Sequence, residues 1–419
     1  MSLTTPQPLQ SGPAWLQELR QRAATQVETL PMPSATEELW RYSPINDLDL
    51  GHFHAVVAPA RGTATEALLA QLEATPACVI SLIDGHVVGV DVSNLSAQVT
   101  VTTQVTDSTV VTPLASAAPS RLDALHDLYS PQPIVIDISP HANVEGPIVI
   151  VSELVEHKGL TTPWVHVRLG VGAQAEVAEL VIGGGDTLTL STTELTVADG
   201  AHLRHVAVQL ADSSAWHLAH QLATVGRDAT LESFSVGLGA AYDRVHTEVT
   251  ITSPGGTSRL RSLYLGTDHQ VHDVRTVQDH AAPHTNSDLL CKGAVADSST
   301  SVFTGTIAVR NGAVRSDAVQ NNHNLVLGEH ASAESVPNLD IHENDVRCAH
   351  GSTVGPVDEE QRYYLESRGI APHVAERLLV SGFFDDALDA LPVKSVANLV
   401  RATLKAKLSK ALNVEFSNG

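Results

Sequence analysis

The chain has only three cysteines in 419 residues, Cys78, Cys291 and Cys348. An odd number of thiols at wide spacing argues against a disulfide framework and for reduced thiols. Aromatic residues make up 4%, too few for a core of stacked rings. Small and β-branched residues predominate, which favours thin, regularly layered packing. Positive charge is also short: 25 basic residues face 47 acidic ones, a formal charge of −22. Such a surface repels phosphate backbones, which excludes nucleic acid as a partner class. No apolar run approaches the ~20 residues that cross a bilayer. The opening "MSLTTPQPLQSGPAWLQELRQ" lacks the basic stretch and apolar stretch of a secretory signal. The expectation is a cytoplasmic chain without membrane contact.

Several catalytic motifs are missing too. No G-x-x-x-x-G-K-[ST] occurs, so the chain should not bind ATP through a P-loop. G-x-S-x-G and H-E-x-x-H are absent as well. "GVGAQA" at Gly170–Ala175 imitates a dinucleotide fingerprint. That fingerprint needs a helix next, and strand alternation follows instead.

What is present divides into three stretches. Residues 1–130 read as a mixed, partly helical region, with helical patterns over 14–30 and 64–74. Between them lies "LPMPSATEELWRYSPI", where Ser34 and Glu37 have capping-box spacing. "ACVISLIDGHVVGVDV" reads as a hairpin turning at Asp84-Gly85, and a short helix falls near 120–128. Residues 131–355 alternate apolar and polar residues between Gly, Asp and Ser turns, with almost no helical window. "GAQAEVAEL", "GAHLRHVAV", "DATLESFSV" and "GTSRLRSLYL" align on Ala173, Ala201, Ala229 and Thr257, each 28 positions after the last. A fixed period marks stacked repeats that bury their apolar faces against one another. The pattern predicts a mainly β fold, a right-handed parallel β-helix; a β-sandwich competes, and the constant spacing favours the solenoid.

Residues 356–419 switch to helical period. Asp358 with Gln361 forms a cap-like pair, and Gly369 supplies a stop. A second helix carries Val374, Leu378, Phe383 and Phe384 on an apolar side and ends at Pro392. A third places Val396, Leu399, Val400, Leu404 and Leu408 on one stripe with lysines opposite.

Chemistry concentrates late in the strand region. His269, His272, His280, His284, His323, His330, His342 and His350 crowd there with Cys291 and Cys348, donors that suit zinc, copper and iron. No C-x-x-C occurs, and residues three apart on a strand point to opposite faces. His269 and His272 could therefore share a ligand sphere only across a turn. Cys348 and His350, two apart, share a face roughly 6–7 Å apart along the chain. A complete sphere usually needs about four ligands. Either this pair is structural, or the missing ligands come from another chain.

"NLDIHENDVRCAHGSTVGPVDEEQRYYLESRGI" closely resembles the C-terminal signature of the SufB/SufD family of iron–sulfur cluster assembly proteins. "PHTNSDLLCKG", "GAVRSDAVQNNHNLVLG" and "EELWRYSPI" resemble further stretches of it. The likeness is strongest from about 280 to 391 and weak before 130. Within the family the chain is more similar to the SufD type. Ala331 stands where SufB-type chains carry cysteine, and His350-Gly351 replaces their His-Glu pair.

The resemblance implies a non-catalytic scaffold that pairs with SufB through β-helix ends and binds the ATPase SufC through the C-terminal helices. It implies a transient Fe–S cluster at the interface with SufB, none being held stably by this chain alone. His350 would act as a metal ligand together with ligands from SufB, with Cys348 beside it. Leu378, Phe383 and Phe384 are the expected SufC-docking positions. A homodimer of the isolated chain is a further expected state. The alternatives are a homodimeric scaffold without a cluster role and a polysaccharide-active lyase or hydrolase using carboxylates such as Asp340, Glu343 and Asp345.

Overall fold

A computed structural model describes residues 3, 7–9, 11–107 and 120–412. The chain opens with α1 (Ala14–Thr29), three single 3-10 turns and β1 (His54–Ala55). Then come α2 (Thr65–Leu69), β2 (Cys78–Ile83), β3 (His86–Asp91), β4 (Val99–Thr102) and α3 (Arg121–Tyr129). The long strand series starts with β5 (Ile134–Ile138), β6 (Ile148–Leu154), β7 (Gly159–Thr161), β8 (Trp164–Leu169), β9 (Gln174–Gly183) and β10 (Leu188–Val197). It continues with β11 (His202–Ala211), β12 (Trp216–Val225), β13 (Thr230–Gly237), β14 (Tyr242–Ile251), β15 (Thr257–Gly266) and β16 (Val271–His280). It ends with β17 (Asn286–Val295), β18 (Thr300–Val309), β19 (Asp317–Val326), β20 (Ser332–Ile341) and β21 (Arg347–Gly355). Helices α4 (Glu359–Ser367), α5 (Pro372–Asp389) and α6 (Ala397–Ala411) follow.

Even-numbered strands from β8 to β20 pair in succession and continue through β5 to β4. Odd-numbered strands from β9 to β21 form the second sheet, continued by β6, β2 and β3. Each coil thus gives one strand to each sheet, a β-solenoid of about eight turns. The predicted solenoid is what forms. Ala173, Ala201 and Ala229 lie at equivalent buried corners, and their carbonyls accept from His202, Thr230 and Thr257 at 2.8, 2.9 and 2.9 Å.

The fourth alignment point is wrong by one residue. Thr230 pairs with Thr257, so the equivalent of Ala229 is Gly256 and that coil has 27 residues. On the other sheet Trp216 pairs with Tyr242, 26 positions on, and Thr300 pairs with Ser332, 32 positions on. The corners absorb these differences, because slipping a strand by one would turn its apolar face outward. At one such corner Gly255 has φ +78°, and a Cβ there would overlap the Asp228 carboxylate.

Side-chain alternation assigns the layers. In β9, Ala175 and Val177 face the solenoid interior, whereas Ala178, Leu180 and Ile182 face outward beneath α5 and α6. In β10, Leu195 and Val197 face inward, and Leu188 and Leu190 pack outward against α1, α3 and the 3-10 turns. Strands buried on both faces read as near-continuous apolar runs. Toward the C-terminal coils the interior turns polar, with Gln278, Gln320 and Asn322 all fully buried.

The hairpin turns where expected, with Asp84 and Gly85 both at positive φ (50° and 81°), the I′ geometry that matches strand twist. Two local expectations fail. Ser34 does not cap an α-helix: its N–H donates to Glu37 at 3.0 Å, but only the 3-10 turn Glu38–Trp40 follows. The helix expected over 64–74 stops at Leu69, and the Glu73 N–H donates instead to the Ser395 carbonyl. Its start is held by the Glu153 carboxylate, which accepts from the backbone of Thr63, Ala64 and Thr65. No described helix is long and apolar enough to cross a membrane.

Candidate functional site

β21 is the last strand of its sheet and pairs only with β19 among the described residues. Cys348 stands opposite Ala318 and His350 opposite Gln320. Because side chains alternate, both project on the inner face of the final coil. No further coil covers that face among the described residues, so His350 is exposed. Cys348 is half-buried against Ile307, Val309, Ala313 and Ala318. Burial, and then the nearby Asp317 charge, push its thiol pKa upward, so it is protonated at neutral pH. Ser352, next on this face, donates to Ser335 at 2.7 Å, and Asn322 donates to Ser335 at 2.8 Å. The end of the solenoid is therefore a polar mouth holding one exposed imidazole and one thiol.

Around the mouth the strand edges are open and partly apolar. Leu339 and Ile341 on β20 and Val354 on β21 are exposed. Pro337 lies in β20, which fits an edge strand. Exposed apolar edge strands are templates for pairing with another chain. Ala331 sits in the turn entering β20, its N–H donating to the Gly328 carbonyl at 3.2 Å.

The structure scatters the other histidines. His280 is buried between the hydroxyls of Thr285 and Ser287, and burial pushes its pKa down to about 4. His272 is buried inside the solenoid near Asp243, while His269, His284 and His330 are exposed. His323 bonds Thr353 at 2.7 Å. Cys291 is fully buried and its thiol is pushed up to about 12 by burial. None of these joins Cys348 and His350. The carboxylates of the polysaccharide alternative are engaged singly: Asp340 with His342 at 2.9 Å, Asp345 with Arg315 at 3.5 Å, and Glu343 with the Gly312 N–H at 3.1 Å.

Asp358 caps α4 as expected, accepting from the N–H groups of Glu360 and Gln361. The three expected docking positions on α5 differ in exposure. Leu378 is 46% exposed and off the buried stripe, Phe383 is half-buried under the Lys292 ammonium, and Phe384 is fully buried. Phe384 offers no surface and belongs to the core with Val380 and Leu388. Sequence reasoning passed over Tyr363 and Tyr364 on α4, which are exposed. It also passed over a cluster of His220, His246 and Glu248. The available signal was the coil spacing, which sets His220 opposite His246 on neighbouring strands.

The sequence pattern described as "SUF system FeS cluster assembly, SufBD core domain" matches residues 153–383. The iron–sulfur cluster assembly protein SufD of Escherichia coli is 34% identical over 58% of this chain and 58% of its own length. An iron–sulfur cluster assembly SufBD family protein of Mycobacterium leprae is 28% identical over 92% of this chain and 93% of its own. The SufD of Bacillus subtilis is 25% identical over 94% of each. The chain belongs to the SufB/SufD family of SUF iron–sulfur cluster assembly proteins and is SufD-like.

Proposed function

We propose that this chain is a cytoplasmic, non-catalytic scaffold subunit of a SUF assembly complex. In this reading residues 131–355 form the solenoid body, residues 1–130 an N-terminal region and residues 356–419 a helical docking unit. The body pairs end to end with SufB, and nascent Fe–S clusters, the cargo of the complex, form at that junction. His350 supplies a ligand or proton relay and SufB supplies the principal soft thiolate, with the half-buried Cys348 beside His350 on the same face. SufC docks on the C-terminal helices through Leu378, Phe383 and the exposed tyrosines of α4, and it alone hydrolyses ATP.

The observation that carries this reading is a SufD-like sequence whose uncovered terminal coil presents His350 between exposed apolar edge residues. A coil with two donors cannot complete a four-ligand sphere unaided. The test is co-expression with SufB and SufC, isolation of the complex, and anaerobic reconstitution with iron and sulfide followed by visible spectroscopy. The expected result is a stoichiometric complex that acquires a chromophore which the isolated chain does not retain. Leu378→Asp should release SufC while leaving the melting temperature unchanged. A stable brown cluster on the isolated chain, or a homodimer that excludes SufB, would overturn the reading.

A further inference from the structure

His220 on β12 and His246 on β14 are register partners on the outer face of the even-strand sheet. Their rings stack in parallel, with centroids 4.9 Å apart and 3° between planes, so one ring must turn about its Cβ–Cγ bond to bring both in-plane lone pairs onto one ion. Glu248 follows on the same face, its Oε1 lying 3.0 Å from His220 Nε2 and 3.8 Å from His246 Nε2. One ligand atom from each residue lies within 4.8 Å of the others. A tetrahedral ion bound at ~2.1 Å needs ligand atoms about 3.4 Å apart, and the two contacts to the glutamate bracket that value.

The support behind the cluster is also formed. Asp123 on α3 lies 3.4 Å from His220 Nδ1. Asp123 is itself fixed by the capping box of that helix, accepting from Ser120 N and Oγ at 2.6 and 2.8 Å. A carboxylate that takes the Nδ1 proton leaves Nε2 free to coordinate, the usual arrangement behind a ligating histidine. The nearby positive charge is otherwise engaged, because Arg244 pairs with Asp273 and stacks 3.9 Å over Trp40. A cavity of about 50 Å³ borders His220 and His246 and is lined also by Ser120, Asp123 and Thr192.

We propose that His220, His246 and Glu248 bind one divalent first-row transition ion, with Asp123 as the positioning residue behind His220. Two imidazoles and a carboxylate form the donor set shared by zinc sites with an open position and by non-haem ferrous sites. His220 is held between the Asp123 and Glu248 carboxylates, at 3.4 and 3.0 Å. The site is on β12 and β14, away from the terminal coil, so it is separate from the His350 chemistry proposed above. It joins α3 to the solenoid.

The test uses the full chain, stripped with a chelator and titrated anaerobically with Co²⁺, then challenged with Zn²⁺ in one arm and Fe²⁺ in the other. One equivalent with visible ligand-field bands is expected, and Zn²⁺ should displace Co²⁺ more effectively than Fe²⁺, as the general affinity order requires. His246→Gln and Glu248→Gln should abolish the bands. Asp123→Asn should weaken binding by roughly 10–100-fold, and the exposed His157→Gln should leave it unchanged. Circular dichroism checks folding. X-ray absorption on the loaded wild-type chain reads two imidazoles and oxygen without any substitution. No saturable binding, sulfur in the coordination shell, or binding that survives both ligand variants would overturn the proposal.

Discussion

Replacing Asp273 with alanine removes the one carboxylate that two buried arginines share. Asp273 is fully buried and accepts from Arg244 Nη1 at 2.5 Å, Arg275 Nε at 2.5 Å and the Tyr242 hydroxyl at 2.8 Å. The same guanidiniums donate onward to the carbonyls of Leu39 at 2.9 Å and Arg41 at 2.6 Å. The carboxylate thus holds the Glu38–Trp40 turn, through both arginines, against the outer sheet face. Breaking a buried ion pair from one side costs about 3–5 kcal/mol, because the remaining charge is left uncompensated. The cost should not double for two arginines, since releasing the turn lets both reach water. At about 2 °C per kcal/mol, the low end for large domains, melting should fall by roughly 6–10 °C. Asp273→Asn, which keeps an acceptor, should cost less. Scanning fluorimetry reads the shift, and timed trypsin digestion reads the local event as faster cleavage after Arg41. Unchanged melting together with unchanged cleavage would refute the reasoning.

Gly293→Ala should destabilise the fold by about 1–3 kcal/mol, because a Cβ there would lie 2.0 Å from the buried Tyr264 ring; an unshifted urea midpoint would contradict that packing. Burial lowers the affinity of His220 for its proton, yet the hydrogen bonds it donates to Asp123 and Glu248 outweigh this and raise its pKa to about 9 from 6.5. Its contribution is therefore complete below about pH 6.5 and lost as pH rises through about 9. The melting gap between the metal-free wild type and His220→Gln should shrink over that window, and a pH-independent gap counts against the assignment. His350→Asn should assemble normally with SufB and SufC but fail to complement a suf-dependent strain, because an amide neither titrates near neutrality nor binds iron well. Cys348→Ser should be milder, and full rescue by His350→Asn would return this residue to a structural role.

The solenoid was legible because stacked coils repeat their corners. Gly172, Gly200 and Asp228 are spaced as the alanines beside them are, and all three adopt positive φ. The hairpin was legible because Asp-Gly is a backbone requirement rather than a preference. What escaped depends on a partner distant in sequence. Thr257 was misaligned because spacing alone does not reveal a shortened corner. Ser34 has the residues of a capping box, but the chain after it is pinned by Arg244 and Arg275, more than 200 positions away. Leu378 was placed on an apolar side by period alone, whereas the buried stripe runs through Ala375, Val380, Phe384 and Leu388. The His220 cluster was invisible because its members meet only through coil register and a helix contributed from before the solenoid.

The terminal coil couples stability to assembly. A stacked repeat normally needs a cap with a polar outer face, because each coil buries its surface only against the next. Here the N-terminal end of each sheet finishes in an antiparallel strand, β3 or β4, which breaks the parallel ladder. The other end finishes in β20 and β21, still parallel and still in register. That end would be costly to expose if its interior were apolar, yet Gln320, Asn322 and Asn324 fill it, with Ser335 and Ser352 at the rim. Water can satisfy Ser335 and Ser352 at the rim in the free chain, whereas a second chain must pair the edges and displace that water. The same polarity leaves His350 hydrated and accessible, while Cys348, tucked against Ala318, stays protonated. On the proposed reading the remaining ligands must therefore arrive with the partner, because the inner face of β21 presents two donors, Cys348 and His350, and a four-ligand sphere needs more.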